Sequence, residues 1–166
     1  MIGGRGNQSP NEKLNIAGVG VGGMGKSNLA KCAAENIVAL CDVDWKYSAP
    51  VFKKYPNARK WTDFRKMLDE MDNRLDAVAV CTPDHTHAVA AMDAMRRGKH
   101  VYCEKPLAHS IYEIRELMKA AHFVDDLFAG LEVEMVRICN EDLSSGLMEV
   151  FQSYRFRCGL SPHSHK

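Results

Sequence analysis

Short blocks of apolar residues punctuate the chain at regular intervals, and helical patterning fills the stretches between them. Leu14 to Val19, Ile37 to Cys41, Asp76 to Cys81 and His100 to Cys103 are nearly continuous apolar runs of strand length. Runs of that kind belong to strands covered on both faces. A brief further strand fits Arg59-Lys-Trp61. Between the blocks, Lys26 to Ala34, Trp45 to Tyr55, Phe64 to Met71, Ala88 to Arg97 and Ile111 to Ala121 read as helices. Phe64, Met67, Leu68 and Met71 recur at helical spacing, and Ala90, Ala91, Ala94 and Met95 form the inner side of the next helix. Punctuation agrees with the pattern. Pro56 stops the second helix, Thr62 or Asp63 can cap the third, Gly98 closes the fourth, and Ser110 with Glu113 forms a capping box for the fifth. Thr82 to His87 reads as a turn.

Strand and helix thus alternate from residue 14 to 121 with short connections. Right-handed crossovers convert that rhythm into an α/β fold, a doubly wound, mostly parallel sheet with helices on both faces. Residues 1–12 lack an apolar core and read as an extended lead-in to a domain spanning 13–121. Residues 122–166 diverge: His122 to Phe128 suits a last helical turn and the start of a strand, and Met148 to Phe156 another strand. The aperiodic end from Cys158 to Lys166 reads as frayed.

Ligands of such sheets bind beyond the carboxyl ends of the strands. The first of those ends carries Gly18-Val-Gly20-Val-Gly-Gly23, a G-x-G-x-x-G spacing before a helix. Gly18 would let the chain reverse, Gly20 would clear space for a pyrophosphate, and Gly23 would let the helix sit close on the strand. Val21, Gly22 and Met24 belong to the same turn, whose helix N–H groups would face the phosphates. Asp42 ends the second strand, 24 residues after Gly18, where a carboxylate can accept from the adenosine ribose hydroxyls. Together these features make a dinucleotide-binding βαβ unit of the Rossmann type. A carboxylate there favours NAD over NADP, since a 2′-phosphate would meet like charge. Asp44 suits a helix cap better than a ligand group. Trp45 fits either packing or adenine contact.

Composition narrows the classes. The 166 residues are 46% hydrophobic and 26% charged, as in a globular protein with a real core. A net charge of +1 offers no footprint for nucleic acid, and no apolar run reaches membrane-spanning length. No secretory leader is visible, so the cytoplasm is the default location, with export left open should a leader precede this sequence. The six cysteines stand singly, without C-x-x-C, which argues for buried thiols rather than a zinc ribbon or disulfide scaffold. His85 and His87, with Cys81, Cys103 and His109 nearby in sequence, lack a metal-ligand spacing, so no metal is expected.

The glycine turn, Asp42, Thr82-Pro83-Asp-His-Thr-His87 and Val101-Tyr-Cys-Glu104-Lys105-Pro106 together resemble the N-terminal domain of the glucose-fructose oxidoreductase/inositol dehydrogenase family. The Glu-Lys-Pro triplet is the most specific element, and the likeness covers residues 13–121. It implies an NAD(P)-dependent oxidoreductase passing hydride to and from a sugar or polyol. It also implies that Thr82, Pro83 and His87 line the nicotinamide half of the cofactor. Glu104 and Lys105 would reach the nicotinamide ribose and the substrate. Lys105 would hydrogen-bond a carboxamide or substrate hydroxyl, with Glu104 orienting it. The resemblance further implies a second α/β domain that completes the proton-transfer site, and residues 122–166 carry no matching motif. Lys105 would therefore belong to an incomplete site, and apolar surface would be exposed. Three alternatives stand beside the dehydrogenase: a non-catalytic dinucleotide-binding module, an NAD-dependent glycosidase of the same family, and, less well matched, a methyltransferase sharing only the glycine turn. A homo-oligomer is compatible with the sequence.

Overall fold

The computed structural model describes residues 13–127. They form five strands and five helices in strict alternation: β1 (Asn15–Val19), α1 (Gly23–Lys31), β2 (Asn36–Cys41), α2 (Ala49–Lys54), β3 (Arg59–Trp61), α3 (Phe64–Met71), β4 (Ala77–Val80), α4 (Asp84–Arg96), β5 (His100–Cys103) and α5 (Ile111–Leu127). All pairings are parallel, in the order β3-β2-β1-β4-β5. The switch in strand order falls at β1, whose two neighbours carry chain off in opposite directions. This is the α/β Rossmann-like architecture that the alternation implies.

Period-two alternation within the apolar strands sends side chains to two cores. Ile16, Leu40, Ala77, Ala79 and Tyr102 pack with Leu29 on α1 and Cys32 just after it, and with Val51 and Phe52 on α2. Ala17, Val19, Ala39, Cys41, Val78 and Val80 pack with Met67, Leu68 and Met71 on α3 and Ala90 and Ala94 on α4. A third cluster joins α4 to α5 through Ala88, Ala91, Met95 and Leu117. The boundary chemistry follows the sequence at several points. Asp63 caps α3 by accepting from the Arg65 N–H, Gly98 takes φ +69, and Ser110 and Glu113 exchange the reciprocal bonds of a capping box.

Four helices differ in extent from the sequence expectation. The first helix starts at Gly23, inside the glycine run, and ends at Lys31. The second begins at Ala49, because Trp45 to Ser48 form a turn in which Asp44 accepts from the Tyr47 N–H. The fourth begins at Asp84 rather than Ala88: the Pro83 carbonyl accepts from both the N–H and the hydroxyl of Thr86, and Asp84 sits in the first turn where its charge suits the helix end. The fifth runs through Leu127, so no strand begins within 122–127. Residues 1–12 and the strand expected at 148–156 lie outside the described residues. Among the described residues, no helix is long and apolar enough to cross a membrane.

Candidate functional site: the carboxyl edge of the sheet

The chain leaves β1 at Val19 and reverses at Gly20, which takes φ +75 and whose N–H donates to the Cys41 carbonyl at 2.8 Å. A Cβ on Gly20 would lie 2.7 Å from the Thr82 nitrogen and 2.8 Å from the Cys81 carbonyl, so the turn rests directly on the backbone after β4. Gly22 is the N-cap of α1. No side chain caps that end, and no acidic residue occupies its first turn. Gly25, one turn in, faces the Gly20 carbonyl so closely that a Cβ would lie 1.9 Å from its oxygen.

These contacts correct the expected frame of the glycine motif. The sequence holds two overlapping G-x-G-x-x-G registers, 18/20/23 and 20/22/25, and the geometry uses the second. Gly18 lies inside β1, where a Cβ would meet Leu29 and Val21 side chains instead of a turn. The reversal falls to Gly20, the close approach of the Tyr47 ring to Gly22, and the close packing of helix on turn to Gly25. Val21 is fully buried and Met24 exposed, so each can offer the cleft different things: Val21 its backbone, Met24 its side chain as well.

Asp42 stands beside this turn. One carboxylate oxygen accepts from the Gly22 N–H at 3.0 Å and the other from the Asp44 N–H at 2.9 Å. It therefore braces the glycine turn against the loop after β2. Asp44 and Tyr47 come from that loop, and with Gly22, Gly23, Lys26 and Lys46 they line a cleft of about 680 Å³. The Tyr47 ring lies over Gly22, where a Cβ would come within 2.4 Å of it. Trp45 packs its ring edgewise on Phe52, centroids 5.3 Å apart, with about half its surface still exposed.

At the opposite end of the same edge, the loops after β4 and β5 meet. The Thr82 hydroxyl oxygen is buried and has no hydrogen-bond partner in the protein. Pro83 is exposed. His87 is turned inward, 1% exposed, with Nδ1 2.6 Å from the Pro106 carbonyl and Nε2 2.6 Å from the Thr82 carbonyl. Both ring nitrogens are thus engaged by backbone, and His87 bears on the cleft by tying its two loops together. His85 is exposed beside Asp84. Glu104 is buried, 8% exposed, and its carboxylate accepts from the Asn28 amide at 2.6 Å and from the Lys105 N–H at 3.1 Å. The Tyr102 hydroxyl lies 3.5 Å away. Glu104 therefore holds Lys105 through its backbone rather than through the ammonium, while the Lys105 side chain is exposed. Its link to Asn28 was not legible from sequence: the two are 76 positions apart, and an asparagine among Lys26, Ser27 and Lys31 reads as one more solvated group.

The neighbouring thiols are set by burial. Burial pushes Cys81 up to about 11 and Cys32, Cys41 and Cys103 up to about 12, so all four are protonated at neutral pH. No group of three or more His, Cys, Asp or Glu suited to a metal ion occurs among the described residues.

The arrangement fits a dinucleotide. A helix end without a side-chain cap behind a glycine turn, the Asp42 carboxylate beside it and the partnerless Thr82 hydroxyl lie along one edge of the sheet, where ligands of such folds bind. A family model described as "Oxidoreductase family, NAD-binding Rossmann fold" matches residues 14–129. The chain belongs to this family, that of glucose-fructose oxidoreductase, inositol dehydrogenase and their relatives.

Among particular proteins, it is 33% identical over 124 residues to glycosyl hydrolase family 109 protein 1 of Akkermansia muciniphila, covering 64% of this chain and 24% of that protein. It is 33% identical over 93 residues to D-glucoside 3-dehydrogenase of Escherichia coli, covering 56% of this chain and 26% of the other. Among solved structures, GenD2 from gentamicin A biosynthesis, in complex with NAD, superposes with a TM-score of 0.62 at 29% identity, over 70% of this chain and 34% of its own. The chain thus spans about a quarter to a third of the length of these proteins.

Proposed function

We propose that residues 13–127 are the NAD-holding half of an oxidoreductase that acts on a sugar-like alcohol. The observation that carries this reading is the continuity of one edge. The open α1 end and Asp42 stand at one side, and the exposed Lys105 amine at the other, all beyond the carboxyl ends of the parallel strands.

Gly20, Gly22 and the first amides of α1 hold the pyrophosphate, and Asp42 accepts from the adenosine ribose. Thr82, Pro83 and the loop pinned by His87 border the nicotinamide half. Bound there, NAD supplies the hydride acceptor. Lys105 donates a hydrogen bond to the substrate oxygen and stabilises negative charge on it, while the base that must take the hydroxyl proton is not among the residues placed here. Asp42 makes NAD the preferred cofactor, because the carboxylate already bound to the turn repels a 2′-phosphate.

These groups build one wall of a reaction site. Hydride transfer also needs the alcohol carbon held about 3–3.5 Å from the nicotinamide and water kept away. Residues 13–127 by themselves therefore bind NAD without turning over a polyol or sugar. The same wall serves an NAD-dependent glycosidase equally well, a reading supported by the likeness to the family 109 protein.

Titration calorimetry with NAD and NADP tests the cofactor reading: NAD binds tighter, and equal or tighter binding of NADP refutes the role given to Asp42. Absorbance at 340 nm with NAD and a panel of polyols and sugars tests the second point. Turnover above a Lys105→Ala control refutes the one-wall reading.

A further inference from the structure

Asn28 has no place in the recognised motifs, yet it is fully buried on α1. Its amide nitrogen donates to the Glu104 carboxylate at 2.6 Å and lies 3.4 Å from the Cys81 sulfur. Glu104 accepts only, so the amide must present its NH2 to it, which leaves the Asn28 carbonyl oxygen buried without a partner. An apolar residue at this position would remove that unpaired oxygen but would leave the buried Glu104 carboxylate short of a donor, so the amide is tied to the service of Glu104. What it does geometrically is link two parts of the cleft. Asn28 rides on the helix whose first turn faces the pyrophosphate, and the other Glu104 oxygen holds the Lys105 N–H at 3.1 Å.

We propose that Asn28 is a positioning residue: through Glu104 it fixes the Lys105 segment relative to the helix that carries the cofactor's phosphates, so that the nicotinamide half is received in register with the adenosine half. This rests on the dinucleotide reading above. The contact is charge-assisted, the stronger kind of hydrogen bond, and both partners are withdrawn from water.

The test compares NAD with ADP-ribose, which lacks only the nicotinamide, by titration calorimetry on the full chain. The variants are Asn28→Asp and Asn28→Leu. The wild type binds NAD about tenfold tighter than ADP-ribose. At pH 8 both variants bring that ratio to within about threefold while keeping ADP-ribose affinity. In Asn28→Asp two carboxylates face one another and share a proton as pH falls, which restores a donor to Glu104. Its ratio recovers at pH 5.5, and that of Asn28→Leu does not. Among the described residues, the titratable groups beside this contact are the thiols of Cys81 and Cys103, held protonated by burial, and the Tyr102 hydroxyl.

Failure of the wild type to bind either ligand overturns the dinucleotide reading itself. Equal wild-type binding of both ligands, an equal loss of both in the variants, or loss of the helical circular dichroism in both variants assigns Asn28 no positioning role and overturns the proposal alone.

Discussion

Replacing Gly25 by alanine sets two physical effects against each other. Gly25 is in α1, and on helix propensity alone the change should stabilise the chain by about 1 kcal/mol. The structure predicts the opposite sign. The new Cβ would lie 1.9 Å from the Gly20 carbonyl oxygen, more than 1 Å inside the 3.0 Å that real Cβ atoms keep. The obstacle is backbone, and that carbonyl belongs to a turn already fixed against Cys41 and the Cys81–Thr82 peptide. Relief therefore requires the start of α1 to lift away from β1. Overpacking of this kind costs about 3 kcal/mol or more. At a urea slope of about 2 kcal/mol per molar, the midpoint falls by about 1.5 M. The same lift draws the helix N–H groups away from the phosphates, so NAD affinity falls about tenfold or more in whatever fraction stays folded. Gly18→Ala is the control. Its Cβ would meet the ends of Leu29 and Val21 side chains at 2.8 and 2.9 Å, groups that can rotate, at a cost of about 1–2 kcal/mol and with little change in NAD affinity. Urea unfolding and calorimetry on both variants decide the matter. A stable, NAD-binding Gly25→Ala beside a Gly18→Ala that no longer binds would refute the assignment of the 20/22/25 register.

Two further outcomes follow from groups away from the cleft. Burial lowers the affinity of His100 for a proton, with Asp76 pulling more weakly the other way. A histidine kept neutral in the fold takes up a proton more readily when unfolded, so its contribution is intact above the unfolded value of about 6.5 and is lost as pH falls below it. The urea midpoint should drop between pH 7.5 and 5.5 less steeply in His100→Phe than in the wild type, and equal slopes would count against this. Lys99 is 4% exposed, with its ammonium 3.1 Å from an Asp72 carboxylate that is 39% exposed. Asp72→Ala leaves the buried ammonium with the backbone carbonyl of residue 72 but no counter-charge and should cost about 2 kcal/mol or more, whereas Lys99→Met, which leaves only a part-solvated carboxylate, should cost less. Thermal melts that rank the two the other way would contradict the asymmetry.

The strands were the most legible part of the sequence, because a run such as Ala77 to Val80 suits few environments other than a sheet covered on both faces. Phe64 to Met71 was equally plain from its 3.6-residue spacing and the Asp63 cap. The glycine motif was legible in kind and not in register. Choosing between two overlapping frames depends on where β1 ends, and a shift of two residues reassigns every glycine. The start of α4 was hidden because histidine and threonine after a proline look like turn chemistry until the Pro83 carbonyl is seen to accept from Thr86. The Asn28–Glu104 contact and the His87 bridge were hidden for another reason. Each joins residues from different βα units, and no local pattern records which side chains the sheet will bring together.

Among the described strands, the first to be synthesised is the middle strand of the sheet. During synthesis β1 can pair with β2 as soon as both have emerged. Its other edge waits for β4, whose approach joins Asn15 to Asp76, 61 positions later in the chain. Until then the glycine turn lacks the floor that Cys81 and Thr82 provide. The nucleotide-binding motif, though near the beginning of the sequence, is thus a late product of folding, closed by chain made well after it. Nascent chains arrested with β4 still inside the exit tunnel should not retain NAD, and those arrested after β5 and α5 have emerged should. Retention by the shorter chains would show that the turn forms without its floor. The dinucleotide would in this way act as a checkpoint on assembly, rewarding with added stability only those chains whose two halves have met.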